Sequence, residues 1–325
     1  MPLTIEERGE RRPQDGAIVV ALVNNMPDAA LEATERQFGS LLGAAAASLP
    51  VRLLRTWLPQ VPRGKQALER IARSYIPLEA LMAEPPDALI VTGMEPREPT
   101  LEAEPYWASM VRLVQWAQRH TASSIWSCLA AHAAAQALAG VRRRRLPEKC
   151  FGIFEHTLLR EHPLLREVSS PLATPHSRWN ELPVEQLQAA GFEVLSASRE
   201  SGADLFVRGG RGLLVCFQGH PEYEPVTLLK EYRRDVGRFL RGEQADWPTL
   251  PQSYFCEPGL EALARYRREV EATRDPARFV DFPTESLAAG LRAPWRRAAV
   301  SLYRNWLALL AAVRSGSRRQ PLTEV

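Results

Sequence analysis

SSIWSCLAAHAAAQALA, residues 123–139, changes character at its sixth position. Residues 123–127 form a short run around Ile125 and Trp126, which predicts a strand. Residues 129–140 are rich in alanine and leucine, which predicts a helix. Cys128 sits where the two meet. A residue on such a turn is held at the carboxyl edge of a sheet. The positive end of the following helix stabilises negative charge on its sulfur. The amide of Leu129 is placed to face a developing oxyanion. The competing reading is a buried apolar cysteine, a common role for this residue.

The same alternation runs outward in both directions. Residues 17–23 (AIVVALV) read as a buried strand broken by Asn24-Asn25-Met26-Pro27-Asp28. A helix is predicted over 29–48, a strand over 51–58, a helix over 66–82 and a strand over 88–91 closed by Thr92-Gly93. An amphipathic helix follows over 105–120. Strand and helix at intervals of roughly 30 residues predict a doubly wound parallel sheet. Ligands bind outside the carboxyl ends of such strands, so the functional loops are expected at 24–28, 93–98 and Cys128. The second half predicts strands over 152–159, 192–198, 205–208 and 213–218, then a helix over 226–240. Past Gly242 the chain reads as an irregular stretch and two helices, 259–273 and 295–313. The organisation expected is an arm over 1–15, an α/β domain over 16–245 and a helical extension over 246–325 packed on it.

Bulk properties narrow the function. Of 325 residues, 45% are hydrophobic and 24% charged, the balance of an ordinary globular chain with a sizeable core. The formal charge of +3 gives no reason to expect nucleic acid. Arg142, Arg143, Arg144 and Arg145 form one dense basic run, read as a solvated loop in preference to an anchor for an anionic coenzyme. Cysteines 128, 150, 216 and 256 are far apart, without a CxxC pair, which argues against a zinc ribbon or disulfide framework. The polar N-terminus is no signal peptide, and no apolar run nears the ~20 residues of a membrane helix. A cytoplasmic location is expected, with no membrane or nucleic-acid partner and no metal.

A second chemical element lies in LLVCFQGHPEYE, where His220 follows a strand and a glycine, with Glu222 two residues on. A histidine takes a thiol proton effectively when a third group fixes its tautomer, and His-x-Glu supplies both parts. Alone, the tripeptide reads as a capped loop. Downstream of a strand-to-helix cysteine it reads as catalytic. The order Cys … His-x-Glu resembles that of class I glutamine amidotransferases.

Further stretches carry a closer likeness: Asn24-x-Met26-Pro27, Thr34-Glu35-x-Gln37-Phe38, residues 89–93 (LIVTG), Tyr106-Trp107, Ser124 and Cys128. Others are Glu148-Lys149, Gly152, Glu155-His156, residues 175–178 (PHSR), residues 219–223 (GHPEY), Trp295-Arg296 and residues 305–307 (NWL). In this order and spacing they resemble the homoserine O-succinyltransferase (homoserine O-acyltransferase) family of the amidotransferase-like superfamily. The resemblance implies a flavodoxin-like α/β sandwich of the class I glutamine amidotransferase type with a helical C-terminal extension. It implies a catalytic Cys128 carrying the acyl group as a thioester, His220 as base and Glu222 orienting it. Leu129 and Met94 are expected to form the oxyanion hole, and Lys149, Ser177 and Arg234 to bind substrate. In the family, a residue after the Thr-Gly turn helps choose the acyl donor, glycine going with succinyl and glutamate with acetyl. Arg97 falls on that position, with Glu98 beside it. The activity implied is acyl-CoA-dependent O-acylation of L-homoserine in methionine biosynthesis, succinyl favoured over acetyl. Acyl-CoA is expected as co-substrate, with no permanently bound cofactor, in a homodimer.

Three competing readings differ in what they require. A glutaminase predicts G-x-C-x-G, where this chain has Trp126-Ser127-Cys128-Leu129-Ala130. A regulatory protein without activity predicts loss of a triad member. A serine O-acyltransferase uses the same mechanism and is separated only by its acceptor.

Overall fold

The computed structural model describes residues 3–6 and 16–316; most of the expected arm, residues 7–15, and residues 317–325 lie outside the described residues. Among the described residues twelve strands follow in chain order: β1 Leu3–Ile5, β2 Ile18–Val23, β3 Val51–Thr56, β4 Ala88–Val91, β5 Ser123–Ser127, β6 Arg144–Leu158, β7 Leu172–Glu181, β8 Glu193–Val194, β9 Ser196–Ser198, β10 Gly202–Ala203, β11 Leu205–Arg208 and β12 Leu213–Phe217. The α-helices are α1 Leu31–Ala46, α2 Lys65–Ser74, α3 Leu78–Ala83, α4 Trp107–His120, α5 Leu129–Ala139, α6 Val184–Ala189, α7 Thr227–Leu240, α8 Glu257–Val270, α9 Thr284–Ala288 and α10 Arg296–Arg314.

The main sheet has the order β1-β3-β2-β4-β5-β12-β11-β8. β1 through β12 in that order pair parallel, and β11 turns antiparallel. Burial on both faces explains the unbroken apolar runs. In β2, Val20 and Leu22 pack with Phe38 and Leu41 of α1 and Trp306 of α10. Ala21 and Val23 face the opposite side, with Leu81 of α3, Leu113 of α4 and Ala130 of α5. The expected doubly wound α/β architecture is the one observed.

α10 belongs to the core of this sheet. Its Trp306 is 1% exposed, and its indole donates to the Ser123 hydroxyl at 2.9 Å. The rest of the C-terminal segment packs around Tyr232 and Phe239 of α7.

Local chemistry moved several boundaries. The helix expected over 66–82 is two, α2 and α3. Ile76 precedes Pro77, which disfavours helical geometry, and its amide donates instead to the Arg55 carbonyl at 2.8 Å. The strand expected over 192–198 divides between two sheets. β8 pairs with β11 in the main sheet, while β9 pairs with β6 in a second sheet ordered β10-β9-β6-β7. β7 had no sequence-based assignment, because Pro175 and its polar neighbours mask the alternation. Residues 144 and 145 are strand, not loop, as β6 begins at Arg144. The β6–β7 register shifts between Arg145 and Cys150, and the looped-out residues include Lys149.

Candidate active site

Cys128 caps α5 with φ 52° and ψ −115°. Side chains rarely adopt this backbone region. The turn is held from both sides: the Cys128 amide donates to the Phe217 carbonyl of β12 at 2.8 Å, and its carbonyl accepts from Ala131 at 2.9 Å. The thiol is half-buried, at the carboxyl end of β5 as expected.

His220 and Glu222 follow β12, the strand beside β5. His220 Nδ1 lies 2.8 Å from Glu222 Oε1, and the ring is hydrogen-bonded to Cys128 as well. With Nδ1 engaged by the carboxylate, Nε2 is the atom left to meet the thiol. Burial works against a charged ring, but the Glu222 carboxylate and Cys128 outweigh it and hold the pKa well above the usual histidine range. Tyr223 stacks on the imidazole with centroids 4.2 Å apart. Ser127 donates to Glu222 Oε1 at 3.4 Å.

The loop carrying His220 rests on buried polar groups. Gly219 N donates to Asp204 Oδ1 at 2.9 Å. A Cβ on Gly219 would lie 2.6 Å from Thr174 Cγ2 and 2.8 Å from His176 Nε2, so glycine is required here. His176 Nδ1 accepts from Arg178 at 3.2 Å. Burial, then the Arg178 charge, keep His176 neutral, its pKa well below the ordinary value. His156, His176 and Asp204 have potential ligating atoms within 4.8 Å of one another. Arg178 beside His176 repels a cation, and His156 already meets the Leu172 carbonyl and Ser201 hydroxyl. These groups therefore work as a scaffold for Gly219 and His220.

A cleft of about 750 Å³ opens beside Cys128. Gly93 and Met94 form one wall. A Cβ on Gly93 would meet the Leu129 nitrogen at 2.9 Å, so this backbone lies directly against the start of α5. Leu129 is the first residue of that helix, and its amide has no partner within the helix by position. The residues expected as oxyanion donors, Leu129 and Met94, both line the cleft. The loop at 24–28 is fixed beneath by Arg63, whose guanidinium binds the Met26 and Asn24 carbonyls.

Lys149, Ser177 and Arg234 also line the cleft. Lys149 Nζ sits 2.8 Å from Asp235 Oδ2 and 3.9 Å from the Phe151 ring centroid. Arg234 Nε donates to Asp235 Oδ1 at 2.9 Å. Burial raises the Asp235 pKa, but Lys149 and Arg234 more than reverse this and leave it lowered. Ser177 donates to Glu231, whose other oxygen accepts from Tyr223 at 2.6 Å. Sequence reasoning missed Glu231 and Asp235. Glu231 lies one helical turn before Arg234 on α7, a spacing that was available as a signal.

Arg97 and Glu98 are exposed and are not among the cleft-lining residues, although Glu95 and Pro96 are. The backbone amides of Arg97 and Glu98 donate to Glu104 Oε1 at 2.7 and 2.9 Å. The basic run, in contrast, divides. Arg142 and Arg144 are exposed and pair with Glu102 and Glu181. Arg143 and Arg145 line the cleft, Arg145 lying 4.4 Å over the Trp179 ring. Reading all four as a solvated loop is therefore corrected for the half-buried Arg143, while Arg145 is exposed but faces the cleft. His132, also missed, lines the cleft four residues after the nucleophile; burial and the nearby Arg178 and Arg143 push its pKa down to about 3.

Cys150 and Cys216 are buried, which raises the pKa of both thiols, that of Cys150 to about 11. Cys256 is exposed and far in sequence from the cleft residues of the triad. No helix among the described residues is long and apolar enough to cross a membrane.

Comparison with known proteins bears on the family and the fold. The family model for homoserine O-succinyltransferase matches residues 4–315. The homoserine O-succinyltransferase of Rhodopseudomonas palustris is 48% identical over 295 residues, covering 91% of this chain and 89% of that protein. That of Methylorubrum extorquens is 43% identical over 299 residues, covering 92% and 89%. Among solved structures, a glutamine amidotransferase from Methylobacillus flagellatus superposes with a TM-score of 0.51 at 15% identity, covering 90% of this chain and 95% of that one. The last likeness bears on the fold alone, a class I glutamine amidotransferase sandwich. The two sequence relatives and the family match bear on the activity class, and by them this chain belongs to the homoserine O-succinyltransferase family and is a homoserine O-acyltransferase.

Proposed function

We propose that the protein transfers the succinyl group of succinyl-CoA to the side-chain hydroxyl of L-homoserine through a thioester on Cys128. The observation that carries this reading is the contact chain from Cys128 to His220 to Glu222, of which Cys128 and His220 line the cleft. His220 takes the thiol proton, and the sulfur attacks the thioester carbonyl of the donor. The oxyanion forms against the amides of Leu129 and Met94. Its collapse breaks the bond to the coenzyme sulfur, which leaves with the proton from His220. One thioester has replaced another, so the step is nearly isoenergetic. The acceptor hydroxyl then gives its proton to His220 and attacks the acyl-enzyme, and Cys128 is the leaving group.

The α7 residues in the cleft suit an amino-acid acceptor. Arg234, whose Nε and Nη2 are held on Asp235 Oδ1, offers Nη1 and its charge to a carboxylate, and Glu231 presents an anion for an ammonium group. The succinyl donor and homoserine acceptor follow the names of the relatives; methionine biosynthesis is the corresponding pathway. Four free thiols suit a reducing, cytoplasmic setting.

The test is intact-protein mass spectrometry after mixing with succinyl-CoA in the absence of acceptor. One succinyl mass should appear on Cys128 and disappear on adding homoserine, with O-succinylhomoserine as product. An adduct that persists in Cys128→Ala would overturn the assignment.

A further inference from the structure

The cleft wall holds an arginine whose donors are not all used. Arg143 lies between α5 and β6. Its Nη2 donates to the Pro99 carbonyl at 3.4 Å, while its Nη1 is buried and has no hydrogen-bond partner. A guanidinium carries five donors and does not shed its charge. A buried, unmatched nitrogen on a cleft wall is a place for an anion.

The surroundings do not fill that need. Glu104 spends Oε1 on the amides of Arg97 and Glu98, and its carboxylate also acts on the neighbouring Tyr106 hydroxyl. Burial draws the Arg143 pKa down, and Tyr106 and Glu104 restore only part of it. Cys128 is close enough for its charge to act on Arg143 too. The group thus sits within electrostatic reach of the atom that carries the acyl carbonyl.

We infer that Arg143 reads the far end of the acyl chain, pairing the terminal carboxylate of a dicarboxylic monothioester while its carbonyl is held at Cys128. This rests on the acyl-enzyme reading above. The phosphates of coenzyme A are the other anions that enter the cleft. They are separated from the thioester by the whole pantetheine arm, whereas Arg143 feels the charge on Cys128 itself. Arg97 bears the family's donor-selecting position, but its side chain stands outside the lining of the cleft. That leaves the carboxylate of the donor to a residue on another segment.

The experiment follows acylation of Cys128 by rapid quench and intact mass, with succinyl-CoA and with butyryl-CoA, which has the same chain length and no carboxylate. Arg143→Gln should slow acylation by succinyl-CoA about ten- to hundredfold, the range of a lost charge-assisted hydrogen bond, and leave butyryl-CoA within about twofold of wild type. Arg143→Lys should restore part of the succinyl rate. The unchanged butyryl rate also reports an intact fold and nucleophile. Equal losses with both donors would overturn the inference, placing Arg143 on the shared coenzyme or in the scaffold. Unchanged rates with both would overturn it as well. A wild type that takes no acyl group from either donor would instead remove the acyl-enzyme reading on which the inference stands.

Discussion

Gly93 and Leu129 are packed so closely that a Cβ on Gly93 would lie 2.9 Å from the Leu129 amide nitrogen and 3.2 Å from the Ser127 carbonyl oxygen. Two residues 36 positions apart in sequence therefore meet where the reaction's negative charge is expected. Gly93→Ala must push them apart. Turnover is expected to fall about tenfold or more, on the scale of a weakened oxyanion donor, while the thermal melt by circular dichroism shifts by only a few degrees. A variant with wild-type turnover would place the oxyanion elsewhere.

The His220–Glu222 contact has a titration signature. His220 has a raised pKa in the folded protein, burial being outweighed by Glu222 and Cys128. Its contribution to stability is fully present below the unfolded histidine value of about 6.5 and is lost as pH rises through the higher folded value. In nitrogen-15 spectra its ring should remain protonated above pH 6.5, while His132, with a pKa of about 3, stays neutral over the same range. Glu222→Gln should bring the His220 midpoint down and cut turnover by about tenfold or more. An unmoved midpoint would show that Glu222 does not set the charge of the ring.

Arg234 and Glu231 occupy successive turns of α7 at the cleft. Arg234→Lys and Glu231→Gln should each raise the Michaelis constant for homoserine about tenfold. The acylation burst with succinyl-CoA should be unaffected, because the acceptor enters after it. Loss of the burst in either variant would assign that residue to the donor half-reaction.

Trp306 should report that the C-terminal helix is part of the main core. It is 1% exposed and bonded to Ser123. Trp306→Ala is expected to cost about 3–5 kcal/mol in urea denaturation, by loss of burial and by the cavity left. Val280, 82% exposed, is the matched control, and Val280→Ala should change stability by less than about 0.5 kcal/mol. Similar midpoints for the two variants would show α10 to be dispensable for the fold.

The parallel core was legible because buried parallel strands are written as apolar runs. β4, β5 and β11 have the expected bounds, and Cys128 and His220 stand at strand ends, where periodicity changes abruptly. Features set by tertiary partners were not legible. The division of residues 192–198 between β8 and β9 depends on pairing with β11 and β6, strands far from it in sequence or direction. Pro175 hid β7 from its alternation. Side-chain direction was hidden too: Arg142, Arg143, Arg144 and Arg145 look alike in sequence, but only Arg143 and Arg145 line the cleft, and of the four Arg143 alone is half-buried. Glu231 had no assigned role in the sequence, and the fold brings Ser177 and Tyr223 to it.

The backbone of Cys128, at φ 52°, has an evolutionary consequence. An L-residue held in this region costs of order 1–3 kcal/mol, which the surrounding structure must absorb. Glycine occupies the same geometry without that penalty. Selection for activity is thus what keeps a less comfortable residue at this turn. A descendant released from that selection gains by drifting to glycine here, and its fold has no reason to resist. Glycine at this position in an otherwise intact relative would mark a lineage that kept the architecture and abandoned the chemistry.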